Sequence, residues 1–199
     1  PILDLLNWIN YRTNDYVTTS SCSGRISLFQ NNDSSENKGG TWLYVEHECD
    51  DAQEVHYQVQ QAVFDSEADG DAELKLLFEG LLLHVEARSL GHAQALLALV
   101  QQCGYRESGM CVGVGGRYMV HVRTTAFTMQ VPFARKLMTR ELLTYLVDQL
   151  LSRYQHNKLR KEKLFAMLQA KCECPNEQGE AVNSTTSTSG EAVYLWWRV

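Results

Sequence analysis

The sequence predicts an α+β domain of mostly antiparallel strands, with a possible degenerate internal duplication. Three observations predict it. Strand-like runs come in groups of two or three, not singly. Stretches of helical period interrupt those groups irregularly, so the pattern lacks the one-strand, one-helix alternation of a parallel sheet. The strand-strand-strand-helix rhythm appears roughly twice along the chain.

The elements follow in order. Ile2, Leu5, Leu6 and Ile9 repeat at helical spacing and predict a first helix over roughly 2–12. YVTTSS and GRISLFQ read as strands, NNDSSENKGG (31–40) as a loop, and TWLYVEH as a third strand. Asp51 and Glu54 resemble a capping pair, and Val55, Val59, Ala62 and Val63 give the following helix its apolar stripe. ADGDA is a turn. LKLLFE and LLLHVEAR are strands with Gly80 between them. Ala93, Leu96, Leu97 and Val100 predict a helix that Gly104 ends. SGMCVGV and RYMVHVRTT form a hairpin with Gly115-Gly116 at its turn, and MQVPF is a short extended piece. Leu143, Leu146, Val147, Leu150 and Tyr154 open a long helix running to about Lys171 whose second half is basic. Residues 1–171 therefore read as one domain. Residues 172–199 read as a polar, flexible tail with a short apolar end that carries Trp196 and Trp197.

The chain of 199 residues is 44% hydrophobic and 21% charged, ordinary for a globular protein. No run of roughly 18 apolar residues is present, so no membrane span is expected. The opening PILDLLNWIN lacks the basic region and cleavage site of a secretory signal, and it reads as a trimmed start. The six cysteines make no CxxC pair or zinc framework, so a reducing, cytoplasmic setting is expected and no metal. Cys172 and Cys174 leave room for a metal clip at the tail. The net charge of -6 hides an asymmetry. Residues 46–79 carry eleven acids against one base, and residues 106–163 carry eleven bases against four acids, an excess of +7. That polarity permits a basic face for a phosphate backbone, and equally two solvated faces of opposite sign.

Few motifs carry chemistry. GVGGR (113–117) matches neither GxGxxG nor GK[ST] and lies between strands, so it reads as a hairpin turn. TTSSCSGR (18–25) sets hydroxyls, a thiol, a glycine and an arginine in one row. Ser20, Ser21, Ser23 and the amides around Gly24 suit the polar ends of a ligand, with Arg25 on a carboxylate or phosphate. A Ser-rich turn is the plainer alternative. A nucleophilic Cys22 needs a base that the sequence does not locate, and GxSxG is not satisfied. His47 and His84 lie in or near strand ends, and with Glu79 they form a candidate set of bases. Both histidines also suit ordinary hydrogen-bonded positions. YRESGM (105–110) suits ligand contact or helix-to-strand capping alike.

Taken together, DYVTTSSCSGRI, WLYVEHE, LLFEGLLLHVEARSLGHAQALL, GYRESGM and RYMVHVRTTAFTMQVPF resemble the tRNA wybutosine-synthesizing protein 3 family, in that family's order and over most of residues 1–150. One departure is Gly80, where the family usually has proline. The family's segment ahead of the first helix has no counterpart here. The resemblance implies an α+β methyltransferase without a Rossmann core. It implies methyl transfer from S-adenosylmethionine to N4 of the tricyclic wybutosine precursor, next to the anticodon of phenylalanine tRNA. That base carries an amino-acid-like side chain. Under this reading His84, Glu107 and His47 are the candidate bases, with His84 favoured. Ser20, Ser21, Cys22, Ser23, Gly24 and Arg25 form the donor or base cradle. Arg106, Arg123, Arg153, Lys158, Arg160 and Lys161 meet tRNA. Two alternatives compete: a tRNA-binding module without chemistry, and a hydrolase built on Cys22 or Ser23.

Overall fold

The computed structural model describes residues 2–31, 39–64 and 73–173. In chain order the elements are α1 (Leu3–Arg12), β1 (Tyr16–Cys22), β2 (Arg25–Asn31), β3 (Gly40–Glu46), α2 (Ala52–Phe64), β4 (Glu73–Glu79), β5 (Leu82–Ala87), α3 (Leu90–Gln102), β6 (Gly109–Val112), β7 (Tyr118–Arg123), β8 (Met129–Ala134) and α4 (Arg140–Glu173). The expected helices and strands are all present. The loop at 32–38, the ADGDA turn, Cys174 and the tail lie outside the described residues.

The strands form two antiparallel sheets, ordered β1-β5-β7-β6 and β3-β2-β4-β8. Each sheet takes one strand from the far end of the chain, so neither is a contiguous stretch of sequence. Alternation explains the layering. In β5, Leu83, Val85 and Ala87 are buried and Leu82, His84 and Glu86 face the other way. In β4, Leu74, Leu76 and Phe78 are buried opposite Lys75, Leu77 and Glu79. Among the described residues, helices pack on the apolar side of each sheet. Leu5 and Ile9 of α1, and α3, join the first core; Val55, Val59 and Val63 of α2 join the second.

Local chemistry sets the helix ends. Asp51 Oδ1 accepts from the amides of Gln53 (3.0 Å) and Glu54 (3.1 Å) to cap α2. Thr139 Oγ1 accepts from Leu142 N at 3.2 Å to cap α4. Gly104, at φ 96°, ends α3 in the left-handed conformation that its position required.

α4 binds the halves together. Leu143, Val147, Leu150, Tyr154, Asn157, Lys161, Leu164 and Leu168 recur in alternating steps of four and three, and all are buried. The first members pack in the second core and the last two in the first core. At 1.5 Å per residue, the 34 residues of α4 span about 50 Å, enough to run beneath both sheets.

Candidate active site

The chain passes between the sheets three times, and each passage is short. Ser23–Gly24 joins β1 to β2, Gly80–Leu81 joins β4 to β5, and residues 124–128 join β7 to β8. Asn157, only 1% exposed, holds two of them. Its Nδ2 donates to Ser23 O at 2.9 Å, and its Oδ1 accepts from Leu81 N at 2.8 Å. Gly24 sits at φ 96°, and a Cβ there would stand 2.8 Å from Asn157 Nδ2 and 2.9 Å from Glu79 O. Only glycine fits that approach. Arg160 holds the third passage, donating to Thr124 Oγ1 at 3.3 Å and Gly104 O at 3.0 Å while lying 4.1 Å over the Phe127 ring.

At these passages the end of β1 in one sheet leads directly into the start of β2 in the other, and the end of β4 into the start of β5. The TTSSCSGR row runs through the junction. A register shift between Thr18 and Ser20 marks a bulge that re-aims the row. Ser20 pairs across the strands with His84, and His84 with His121. The two imidazoles lie 4.4 Å apart, tilted by 40°. Burial, and then the neighbouring His121, hold the His84 pKa below the ordinary histidine value, so His84 is neutral near pH 7.

Beyond the crossover, His47 Nδ1 donates to Gly24 O at 3.0 Å, with Cys22 Sγ 3.9 Å from the same nitrogen. With Nδ1 giving its proton to that carbonyl, this nitrogen does not serve as a base for the Cys22 thiol. Arg25 donates Nε–H to Glu79 Oε2 at 2.8 Å and lies 5.2 Å over Trp42, which contacts Phe29 edge-on at 4.7 Å. Its two terminal nitrogens have no hydrogen-bond partner among the described residues.

The remaining predicted residues divide. Glu107 accepts from Thr125 N (3.4 Å) and Oγ1 (3.3 Å). Hydrogen bonds from its own amide, Thr124 and Thr125 hold its carboxyl below the usual range, the behaviour of a loop fastener more than of a base. Its carbonyl accepts from Arg123 Nε at 3.3 Å; Arg106 and Arg123 are exposed. Arg153 donates to Gln149 O at 2.9 Å, and Lys158 pairs with Asp50 at 2.8 Å. Arg160 and Lys161 do not lie on the basic surface row that the sequence suggested: Arg160 is spent on Gly104 and Thr124, and Lys161 is buried. Sequence reasoning missed Asn157, His121 and Trp42. The signal for Asn157 was available, because it and Lys161 are the two non-apolar members of α4's buried stripe apart from the tyrosine.

The family profile described as "Methyltransferase TYW3" matches residues 1–170. The tRNA wybutosine-synthesizing protein 3 of Schizosaccharomyces pombe is 33% identical over 185 residues, covering 87% of this chain and 77% of that protein. The tRNA wybutosine-synthesizing protein 2/3/4 of Arabidopsis thaliana is 39% identical over 165 residues, covering 74% of this chain and 16% of that protein. The human tRNA wybutosine-synthesizing protein 3 homolog is 33% identical over 174 residues, covering 84% of this chain and 63% of that protein. The solved PH1069 protein of Pyrococcus horikoshii has a TM-score of 0.68 at 26% identity and covers 85% of this chain and 82% of its own. A structure from Aeropyrum pernix shares the fold, with a TM-score of 0.66 at 21% identity over 87% of this chain and 98% of its own.

Proposed function

Because the chain belongs to the TYW3 methyltransferase family, we propose that it methylates N4 of the tricyclic wybutosine precursor beside the anticodon of phenylalanine tRNA, with S-adenosylmethionine as donor. The observation that carries this reading is the row 18–25 at the junction of the two sheets. There one row of hydroxyls pairs through Ser20 with His84, which burial keeps below the ordinary histidine pKa, and runs on to Arg25, whose terminal N–H groups have no partner among the described residues.

The residues fit the donor and acceptor chemistry. When bound, the donor supplies a methyl carbon on a sulfonium, which leaves as a neutral thioether once the bonding pair returns to sulfur. Positioning is then the main demand, and the Asn157 clamp meets it by fixing the backbone on both sides of the row. The ring nitrogen must lose its proton, and His84, uncharged and on the open face, accepts it. Arg25 offers its terminal nitrogens to a carboxylate. Trp42, 40% exposed beside Arg25, offers a flat surface on which a base stacks. Exposed Arg106 and Arg123 contribute to a phosphate-binding rim.

The test uses phenylalanine tRNA from cells blocked before this step. The protein is added with isotopically labelled S-adenosylmethionine, the tRNA is digested, and the nucleosides are weighed. A labelled methyl on the tricyclic base is expected. Donor binding without transfer would overturn the assigned acceptor, and tRNA binding without donor binding would favour a module without chemistry.

A further inference from the structure

The row 18–25 runs straight into β2, so the outer face of the second sheet is continuous with the site. Ile26 and Leu28 point into the second core, and Arg25, Ser27 and Phe29 therefore point outward. Trp42 pairs with Phe29 across β3, and Lys75 pairs with it across β4. Trp42 is 40% exposed on this face. Its position is built. A Cβ on Gly40 would collide with the Phe29 ring, so glycine makes room for the ring that holds Trp42 edge-on at 4.7 Å. The Arg25 guanidinium lies over the indole at 5.2 Å. Arg25 and Trp42 thus close over Ser27, which is wholly buried and whose Oγ has no hydrogen-bond partner among the described residues. An orphaned buried hydroxyl is costly unless something else supplies its partner. The acids of the face are committed, Glu79 to Arg25 and Glu73 to Asn31 Nδ2 at 3.0 Å.

A planar cation on an indole occupies the place where another planar group can stack, and a base stacked on an aromatic ring is the stronger contact. Bases within a duplex hide their faces, so the group comes from a single-stranded loop. Its place differs from the acceptor's. His84 belongs to the other sheet and pairs with Ser20 ahead of the crossover, whereas Trp42 pairs with Phe29 beyond it. We propose that this face binds the single-stranded RNA next to the acceptor. A neighbouring base displaces the Arg25 guanidinium from Trp42 and supplies the missing partner of Ser27 Oγ, and Lys75 meets a flanking phosphate. The inference rests on the tRNA substrate assigned above. It releases Arg25 toward the carboxylate on the acceptor's side chain.

The test titrates the full chain, by fluorescence anisotropy, with an unmodified RNA stem-loop of the phenylalanine anticodon arm and with a blunt duplex of the same stem. The wild type is expected to prefer the stem-loop. Trp42→Ala is expected to cost the stem-loop about tenfold to a hundredfold in affinity, the worth of one stacked base, and to leave the duplex unchanged. Trp42→Phe retains part of the preference. Ser27→Ala is expected to cost about threefold to tenfold, with an undiminished urea midpoint in the absence of RNA. Lys75→Ala is expected to reduce the slope of log K against log salt by about one. A preference that survives Trp42→Ala overturns this inference and leaves the methylation reading to its own labelled-methyl test. A dimer that Trp42→Ala dissolves, with no preference for the stem-loop, gives the face to a second copy and overturns it too. Failure of the wild type to bind either RNA overturns this inference and the tRNA substrate together.

Discussion

At the scale of single residues, the junction makes separable demands. His84 resists protonation because it is partly buried beside His121. Its folded-state pKa is lowered, so its contribution to stability is complete above the ordinary histidine value and is lost as pH falls through the folded value. The rate kcat/KM should therefore stay flat through neutrality and fall only in acid below the ordinary value of 6.5. His84→Gln should cost about 10²–10⁴-fold in kcat and erase that acid limb, as read from a pH–rate profile. Arg25→Lys keeps the charge and loses the two parallel N–H groups. Weaker binding of tRNA carrying the unmethylated precursor is expected, and unchanged affinity for both donor and tRNA would remove Arg25 from the site.

At the scale of elements, α4 decides whether the site exists. Asn157→Leu should orphan Ser23 O and Leu81 N, at about 1–3 kcal/mol each. Urea unfolding with an unchanged m-value would measure that loss. The elements were legible in the sequence because alternation and helical spacing are local signals. β5 shows apolar and polar faces in six residues, and Asp51 announces its helix. The division into two sheets was not legible. β1 pairs with β5, and β4 with β8, across more than fifty residues, and nothing local in YVTTSSC names its partner. The same limit hid the roles of α4's charges. Its basic half reads as a solvated face by composition, while Arg160 and Lys161 are turned inward by a stripe that only the long helix reveals.

At the scale of the whole molecule, the site is a property of the joint between two sheets. The row 18–25 was legible as a positioned segment, yet His47 and His84 come to it from different sheets. Charge also acts at this scale. The protein carries a net charge of -6, so tRNA affinity must depend on where the exposed arginines lie. Affinity should fall with added salt, and Arg123→Ala should reduce the slope of log K against log salt by about one. A salt-independent affinity would place the contacts elsewhere.

The position of α4 as the last of the described helices bears on how the protein is made. Both cores take buried side chains from it, the second from residues such as Leu143 and Leu150, the first from Leu164 and Leu168. A chain still emerging from the ribosome thus holds two open apolar sheet faces until residue 168 is free. Neither half has a finished interior to fold around alone. Folding is then a single late closure, and truncation within this helix should yield chaperone-bound, aggregating chains in place of a smaller working domain.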